Sequence, residues 1–354
     1  MKPIFTKSKR GYFSALAISL TLLAFAVHSD GAPVESPEDV ARSSPPDPLP
    51  VRVETSFYLL NLTFVNERTE TFDADVYLDF QWRDPRLAFT PKTKNGKKIY
   101  YEKEAEEKIE EIWWPEIEFV NAATPQITNR TLEIHPDGTV EYHLGVSATF
   151  STKLNLRRFP FDKQDLQIRL QSFLWDKNSV LFTASAKRCG HASEDTFDDL
   201  AVTGVSTSVG TKHVSYSDKD YSEFVVAIAA KRNSIFYIWR VFFPAVLIMV
   251  LSFSVYFMNM DDLYSRVNIG ITCLLACIAT QFAISYNLPR ISYLTQLDKL
   301  YMITYGCIAI SVGVSTVEVI FHRRNHPHSR RYNRFALWFV PLLYALLLAG
   351  VVLF

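Results

Sequence analysis

Four apolar runs, roughly 235–258, 265–286, 300–321 and 335–354, fill the last third of this chain, each near the ~20 residues that carry a helix across a bilayer. Lipid rather than water must solvate that third, which excludes a soluble enzyme. The charge is as uneven as the hydropathy: residues 33–232 hold 24 basic and 32 acidic side chains, whereas 233–354 hold 9 and 4. With 14% aromatic residues the chain is too apolar for intrinsic disorder. Basic residues concentrate only in the loop 322–334, so nucleic acid is not a partner. That loop carries five arginines and no acid, which assigns it to the cytoplasm by the positive-inside rule.

Lys2, Lys7, Lys9 and Arg10 precede an apolar stretch from Tyr12 to Val27 and small residues at Ala24, Ala26, Gly31 and Ala32. This is the order of a secretory signal, read over 1–32, with an uncleaved anchor as the alternative. Residues 33–50, rich in Ser and Pro, read as a flexible lead-in. The N-terminal domain is therefore exported. Its only cysteine is Cys189, since Cys273, Cys277 and Cys307 lie in the spans, so no disulfide can close within it.

From Val51 to Arg232, alternating or aromatic-rich runs such as Val51 to Leu62, Thr71 to Trp82, Thr139 to Phe150, Gln164 to Phe173 and Ser222 to Ala230 alternate with turn signals. Asp137-Gly138 marks a hairpin. About ten short strands predict an all-β, Ig-like sandwich over 51–232. Glu102 to Glu111 is charge-dense and reads as a brief helix or an exposed loop. An all-α four-helix transmembrane domain follows over 233–354, which returns the C-terminus to the exported side.

The second span differs from the others. It contains Arg266, Asn268, Thr272, Thr280, Gln281 and Ser285, a density that lipid does not tolerate. Steps of four and three residues put Asn268, Thr272, Leu275, Ala279, Phe282 and Tyr286 on one face. In a single-chain bundle this face would be core. The crowding of polar residues into one span favours instead a pore made by several copies, closed by a ring of Leu275 and wettable at Thr272 and Asn268. Phosphate loops, nucleophile elbows and spaced metal ligands are lacking, so neither an enzyme nor a cofactor is expected. His322, His326 and His328 read as a solvated loop rather than a metal site.

Several segments together resemble the pentameric ligand-gated ion channel family (the Cys-loop receptor superfamily). Trp82-Arg83-Asp84-Pro85-Arg86-Leu87 is similar to its Trp-x-Asp segment, and Trp113-Trp114-Pro115-Glu116 with Asn121 to its Trp-x-Pro-Asp segment. Phe159-Pro160-Phe161-Asp162-Lys163-Gln164 matches the Phe-Pro-Phe-Asp-x-Gln loop. Arg266-Val267, Gly270-Ile271-Thr272 and Leu288-Pro289-Arg290 resemble the two ends of the pore helix. The cysteines that bracket this loop in animal members are replaced by Thr152 and Leu166, and the last two spans are joined by only a short loop. Both features resemble bacterial members, which implies a Gram-negative inner membrane with the sandwich in the periplasm.

The resemblance implies a homopentamer of identical subunits in lipid, with agonist pockets between neighbouring sandwiches. Tyr77, Phe173, Tyr216 and Tyr221 match the pocket's aromatic positions, the last two on the capping loop, and such rings suit a small amine. Val120 stands where many members have tyrosine. Glu67, Asp162 and Arg232, beside Phe159 and Pro160, match a buried charge cluster that couples pocket to gate. Glu70 matches a proton-sensing position of one bacterial branch, so acid gating is the alternative to a ligand. Asp261 and Asp262 would form acidic rings favouring monovalent cations, although Tyr264-Ser265 fits neither the cation nor the anion pattern. A membrane-anchored binding or sensor protein without conductance is the rival reading.

Overall fold

The structure, a computed structural model, describes residues 44–91, 96–185, 189–192, 200–259, 261–286, 289–324 and 329–353. The residues read as a signal, most of the lead-in, and Leu288, His326, His328 and Phe354 lie outside these. All described residues belong to one unit, 41–354.

Two antiparallel-rich sheets build the N-terminal domain. Strands β1 (Val51–Asn66), β2 (Thr71–Arg83), β3 (Lys98–Tyr101), β5 (Ala122–Ile134), β6 (Thr139–Ser151) and β8 (Val180–Ala184) form one sheet in the order β3-β5-β6-β2-β1-β8, with β9 (Gly190–His191) also pairing with β1. The other sheet runs β10 (Leu200–Val214), β11 (Lys219–Arg232), β7 (Lys163–Ser172), β4 (Ile117–Phe119). The expected sandwich is present, but six of the eleven described strands run 13 residues or more, longer than the turn signals implied. Alternation explains the layering. Phe72, Val76, Leu78, Phe80 and Trp82 point inward from β2 and meet Leu166, Ile168, Phe224, Val226 and Ile228 of the opposite sheet, all buried. Trp82 and Trp113 pack edge to face at 6.4 Å. Glu102–Glu111 is a helix, α1, seated through buried Ala105 and Ile109.

Two polar devices hold the ends of this sandwich. Gly138, at φ +82°, turns the β5–β6 hairpin and accepts Asp84 N–H at 2.9 Å; a Cβ there would stand 2.4 Å from Asp84 O. Asp84 in turn grips Arg86 with both carboxylate oxygens, each at 2.8 Å. At the other end, the Asn121 amide donates to Ser151 O (2.8 Å) and Gln167 O (2.7 Å) and accepts from Arg169 N (3.0 Å), bridging β6 to β7. Thr152 lies beside it, its hydroxyl accepting from Gln167 N at 3.4 Å.

Four helical segments follow: α2 (Ile235–Phe257), α3 (Leu263–Ser285), α4 (Gln296–Arg323) and α5 (Ser329–Leu353). All four are long and apolar enough to cross a membrane. α2 is not a uniform helix: a π turn over Ile238–Phe242 precedes Pro244, whose missing N–H breaks the regular ladder, and a 3-10 turn ends it. α4 starts at Gln296, where Thr295 and Asp298 form a capping box. Gly270 of α3 lies against Val312 of α4 so closely that a Cβ would meet it at 2.0 Å.

Candidate functional site

Three loops of the sandwich meet the spans. The end of β11, the β1–β2 turn and the β6–β7 loop bring Arg232, Glu67 and Asp162 together. Arg232 Nε donates to Asp162 Oδ1 at 2.8 Å, Nη2 to Oδ2 at 3.4 Å, and Nη1 to Glu67 Oε1 at 2.7 Å. The Arg232 and Asp162 side chains are 0% and 1% exposed, and that of Glu67 16%. Charges so placed are tolerated only when fully paired. Gln164 Nε2 donates to the remaining valence of Asp162, and the guanidinium lies 4.9 Å from the Phe159 ring and 5.7 Å from Tyr237. Burial alone would lower the guanidinium pKa. The Asp162 charge and hydrogen bond, with Glu67, more than reverse this, so Arg232 is a fixed positive charge.

The same loops grip the helices directly. Pro160 O accepts from Ser234 Oγ at 2.7 Å, Leu156 N donates to Tyr293 Oη at 3.0 Å, and Gln296 N donates to Arg157 O at 3.2 Å. Arg68, in the β1–β2 turn, stacks 4.9 Å from the Tyr286 ring at the end of α3. A cavity of about 260 Å³ opens here, bordered by Glu67, Phe159, Tyr237 and Ile284. Glu70 sits in the β1–β2 turn at φ +53°, its carbonyl accepting from Thr152 N at 2.9 Å; its carboxylate makes no ion pair among the described residues.

On α3 the polar residues separate into two faces. Arg266, Gly270, Cys273 and Cys277 are buried against the other helices. Arg266 is fully shielded: Nη1 lies 3.5 Å from Glu318 of α4, while Nη2 and Nε donate to Met258 O (2.6 Å) and Asn259 O (3.2 Å). Gln281 likewise accepts from Tyr305 of α4. The opposite face, Asn268, Thr272, Leu275, Ala279, Phe282 and Tyr286, is exposed throughout, Leu275 by 60% and Phe282 by 74%. This stripe is not intrachain core.

Below it, Asp262 is the N-cap of α3, accepting Ser265 N at 3.1 Å and Ser265 Oγ at 2.6 Å, bonds that lower its pKa. Asp261 is 71% exposed, with His322 at 3.6 Å. The four aromatic candidates do not share one surface. Tyr77, on β2, is 41% exposed; Phe173, just after β7, is 60% exposed; Tyr216, at the β10–β11 tip, is 88% exposed. Tyr221 is not on that tip: it lies within β11, pairs with Lys212 and is 6% exposed, because the hairpin strands extend further than the capping loop expected from sequence.

The profile of the neurotransmitter-gated ion-channel ligand binding domain matches residues 39–234, and that of the neurotransmitter-gated ion-channel transmembrane region matches 241–346. The chain belongs to the pentameric ligand-gated ion channel family. The channel is 27% identical over 279 residues to the proton-gated ion channel of Gloeobacter violaceus, covering 78% of this chain and 76% of that protein. It is 26% identical over 295 residues to the gamma-aminobutyric acid receptor subunit theta of Mus musculus (80% and 45%), and 26% over 270 residues to subunit rho-3 of Homo sapiens (74% and 56%). The channel thus spans about half the length of these receptor subunits. Members of this family are ligand-gated ion channels that form pentamers, not enzymes. Sequence reading missed Glu318 as the partner of Arg266, although a single acid in an apolar span was the available signal. Arg68 and Tyr293 carried no such signal, being ordinary loop residues until the junction is seen.

Proposed function

We propose that five copies of this chain form a homopentameric channel whose α3 helices line the conduction path and which passes monovalent cations. The exposed Asn268 to Tyr286 stripe carries this reading: apart from Tyr286, against which Arg68 stacks, this polar and apolar face is left uncovered by the described residues and needs water or a second subunit. Leu275 supplies the dewetting ring, and Thr272 and Asn268 the wettable inner end. Asp261, exposed at the inner mouth, and the net negative sandwich enrich cations. Asp262 contributes mainly as a cap.

Opening follows binding of a small ligand between sandwiches, or acidification. Tyr77 on one sheet and Phe173 and Tyr216 on the other would meet only across neighbouring subunits, where exposed rings favour a cationic amine. Likeness to a proton-gated channel supports the acid alternative, with Glu70 as the first carboxylate to test. The Glu67–Asp162–Arg232 trio transmits either signal. The arginine-rich loop 322–334 supports a cytoplasmic side for that loop and an exported sandwich, and a bacterial inner membrane with the sandwich in the periplasm is the location we propose.

Mass measurement of the detergent-solubilised assembly tests the pentamer. Cysteines at Thr272 and Ala279 test the lining, with each native cysteine replaced by Ser or Ala. Hydrophilic thiol reagents should reach both in at least one activation state. Protection of both in every state rejects α3 as the lining, and the same reversal potential for Asp261→Asn and the parent rejects Asp261 as a filter.

A further inference from the structure

Arg266, near the inner end of α3, belongs neither to the exposed stripe nor to the junction with the sandwich, yet it places a full charge inside the helix bundle. Its nitrogens face two ways. Nε donates to Asn259 O at 3.2 Å and Nη2 to Met258 O at 2.6 Å, so two of the three hold the main chain that joins α2 to α3. Nη1 points instead to α4, where it lies 3.5 Å from Ser315 Oγ and 3.5 Å from Glu318 Oε2. Both charged side chains are buried, and Glu318 is the only acid between Leu300 and Phe354. Neither Glu318 oxygen has a hydrogen bond among the described residues, so its carboxylate acts on Arg266 as a charge and not as a link in a polar network.

The segment that Arg266 holds is the one that presents Asp261. The Asp261 N–H donates to Asn259 Oδ1 at 3.3 Å, and its carbonyl accepts from Arg323 Nη2 at 3.3 Å. Asn333 of α5 adds a bond to Tyr256 O at 3.1 Å, just before this segment. Two consequences follow if the Glu318 charge is removed. A buried guanidinium without its counter-charge is drawn toward water, which loosens its grip on Met258 O and Asn259 O. Its positive charge also acts unopposed at the inner mouth, where it offsets the attraction that Asp261 exerts on cations. Both effects lower the preference for cations.

We propose that Glu318 is a positioning residue for ion selection: acting through Arg266, it neutralises the charge behind the inner mouth and keeps the Asp261 segment in place. The inference rests on the reading of Asp261 as a carboxylate of that mouth.

The test compares full-length assemblies of equal mass, first in planar bilayers under a salt gradient. Moving one carboxylate from ~4 to ~8 Å from a permeant ion halves its attraction in water, so Glu318→Gln should lower the cation-to-anion permeability ratio at least about twofold. Glu318→Asp keeps the charge one methylene further away and should fall between Glu318→Gln and the parent. In an Arg266→Gln background, Glu318→Gln should lower the ratio no further, because an unpaired buried carboxylate already takes up a proton. A merely structural role would change stability and leave these ratios where they were. The second measurement needs no conduction. With the native cysteines replaced, Asp261→Cys is labelled in detergent by a cationic and by an anionic thiol reagent, and Glu318→Gln should lower the ratio of the two rates at least about twofold. Should Asp261→Asn leave the reversal potential unchanged, the filter reading falls and the rate ratio alone decides whether Glu318 governs the charge at this segment. The proposal is overturned by an unchanged rate ratio in every Glu318 variant that assembles, or by an equal loss of permeability ratio when Arg266→Gln is already present.

Discussion

Asp162→Asn should impair the link between sandwich and spans more than it unfolds either. Asparagine keeps the shape of the side chain but removes one of the two negative charges that neutralise the shielded Arg232. Its amide must also turn NH₂ toward Arg232 or Gln164, both of which are donors. Removing one partner of a buried pair costs ~3–5 kcal/mol, and the 2.7 Å bond to Glu67 that survives places this case near the lower end. Any difference in how the trio is held in the shut and open channel converts part of that cost into gating, about 1.4 kcal/mol for each tenfold shift in activation midpoint. The assay is a double-mutant cycle of Asp162→Asn and Arg232→Gln, read as activation midpoints in planar bilayers. A coupling energy above ~1.5 kcal/mol is expected. A companion pair, Asp162→Leu with Arg232→Met, should recover thermal stability, since apolar replacement of a complete buried pair is often neutral or stabilising, while leaving the response impaired. Additivity within ~0.5 kcal/mol, in assemblies of equal mass, would refute the trio as a coupling element.

Leu275→Ser should wet the constriction, lowering the activation midpoint at least about tenfold and producing current without agonist in the same bilayer recordings. The His143 pKa is raised, chiefly by its hydrogen bond to Asp79 and against the effect of burial. Its contribution to stability is therefore complete below its ordinary value of 6.5 and is lost as pH rises through the higher folded value. The thermal midpoint of the parent should exceed that of His143→Gln below pH 6.5 and converge with it as the solution becomes alkaline. Gly138→Ala places a Cβ 2.4 Å from Asp84 O at φ +82° and should destabilise the sandwich by ~1–3 kcal/mol, measurable as a lower denaturation midpoint.

Elements dominated by one physical signal were legible from sequence. Sustained hydropathy located four spans, and the Asp137-Gly138 turn between alternating residues located a hairpin. The crowding of Asn268 and Thr272 into an apolar helix singled out α3. The face drawn by helical stepping is the one the fold leaves exposed. What escaped depended on partners distant in sequence. Arg266, Gln281 and Thr272 look equivalent in a one-dimensional reading, yet Glu318 and Tyr305 turn the first two inward. Asp262 read only as a second acidic ring residue, and the capping role that Ser265, three positions on, gives it was not legible. The start of α4 was readable after all: Thr295 and Asp298 have capping-box spacing, masked by the less apolar first turn. Tyr221 went astray because strand length, unlike strand identity, is set by the neighbour it pairs with.

The Asn121 bridge has a consequence for how this receptor matures. Where a cystine would need an oxidant and a correct partner before the lower loop could lock, an amide reaches three backbone groups as soon as β6 and β7 come together. The sandwich can thus reach its final shape in a reducing or an oxidising compartment alike, and dithiothreitol should leave its thermal midpoint where it was.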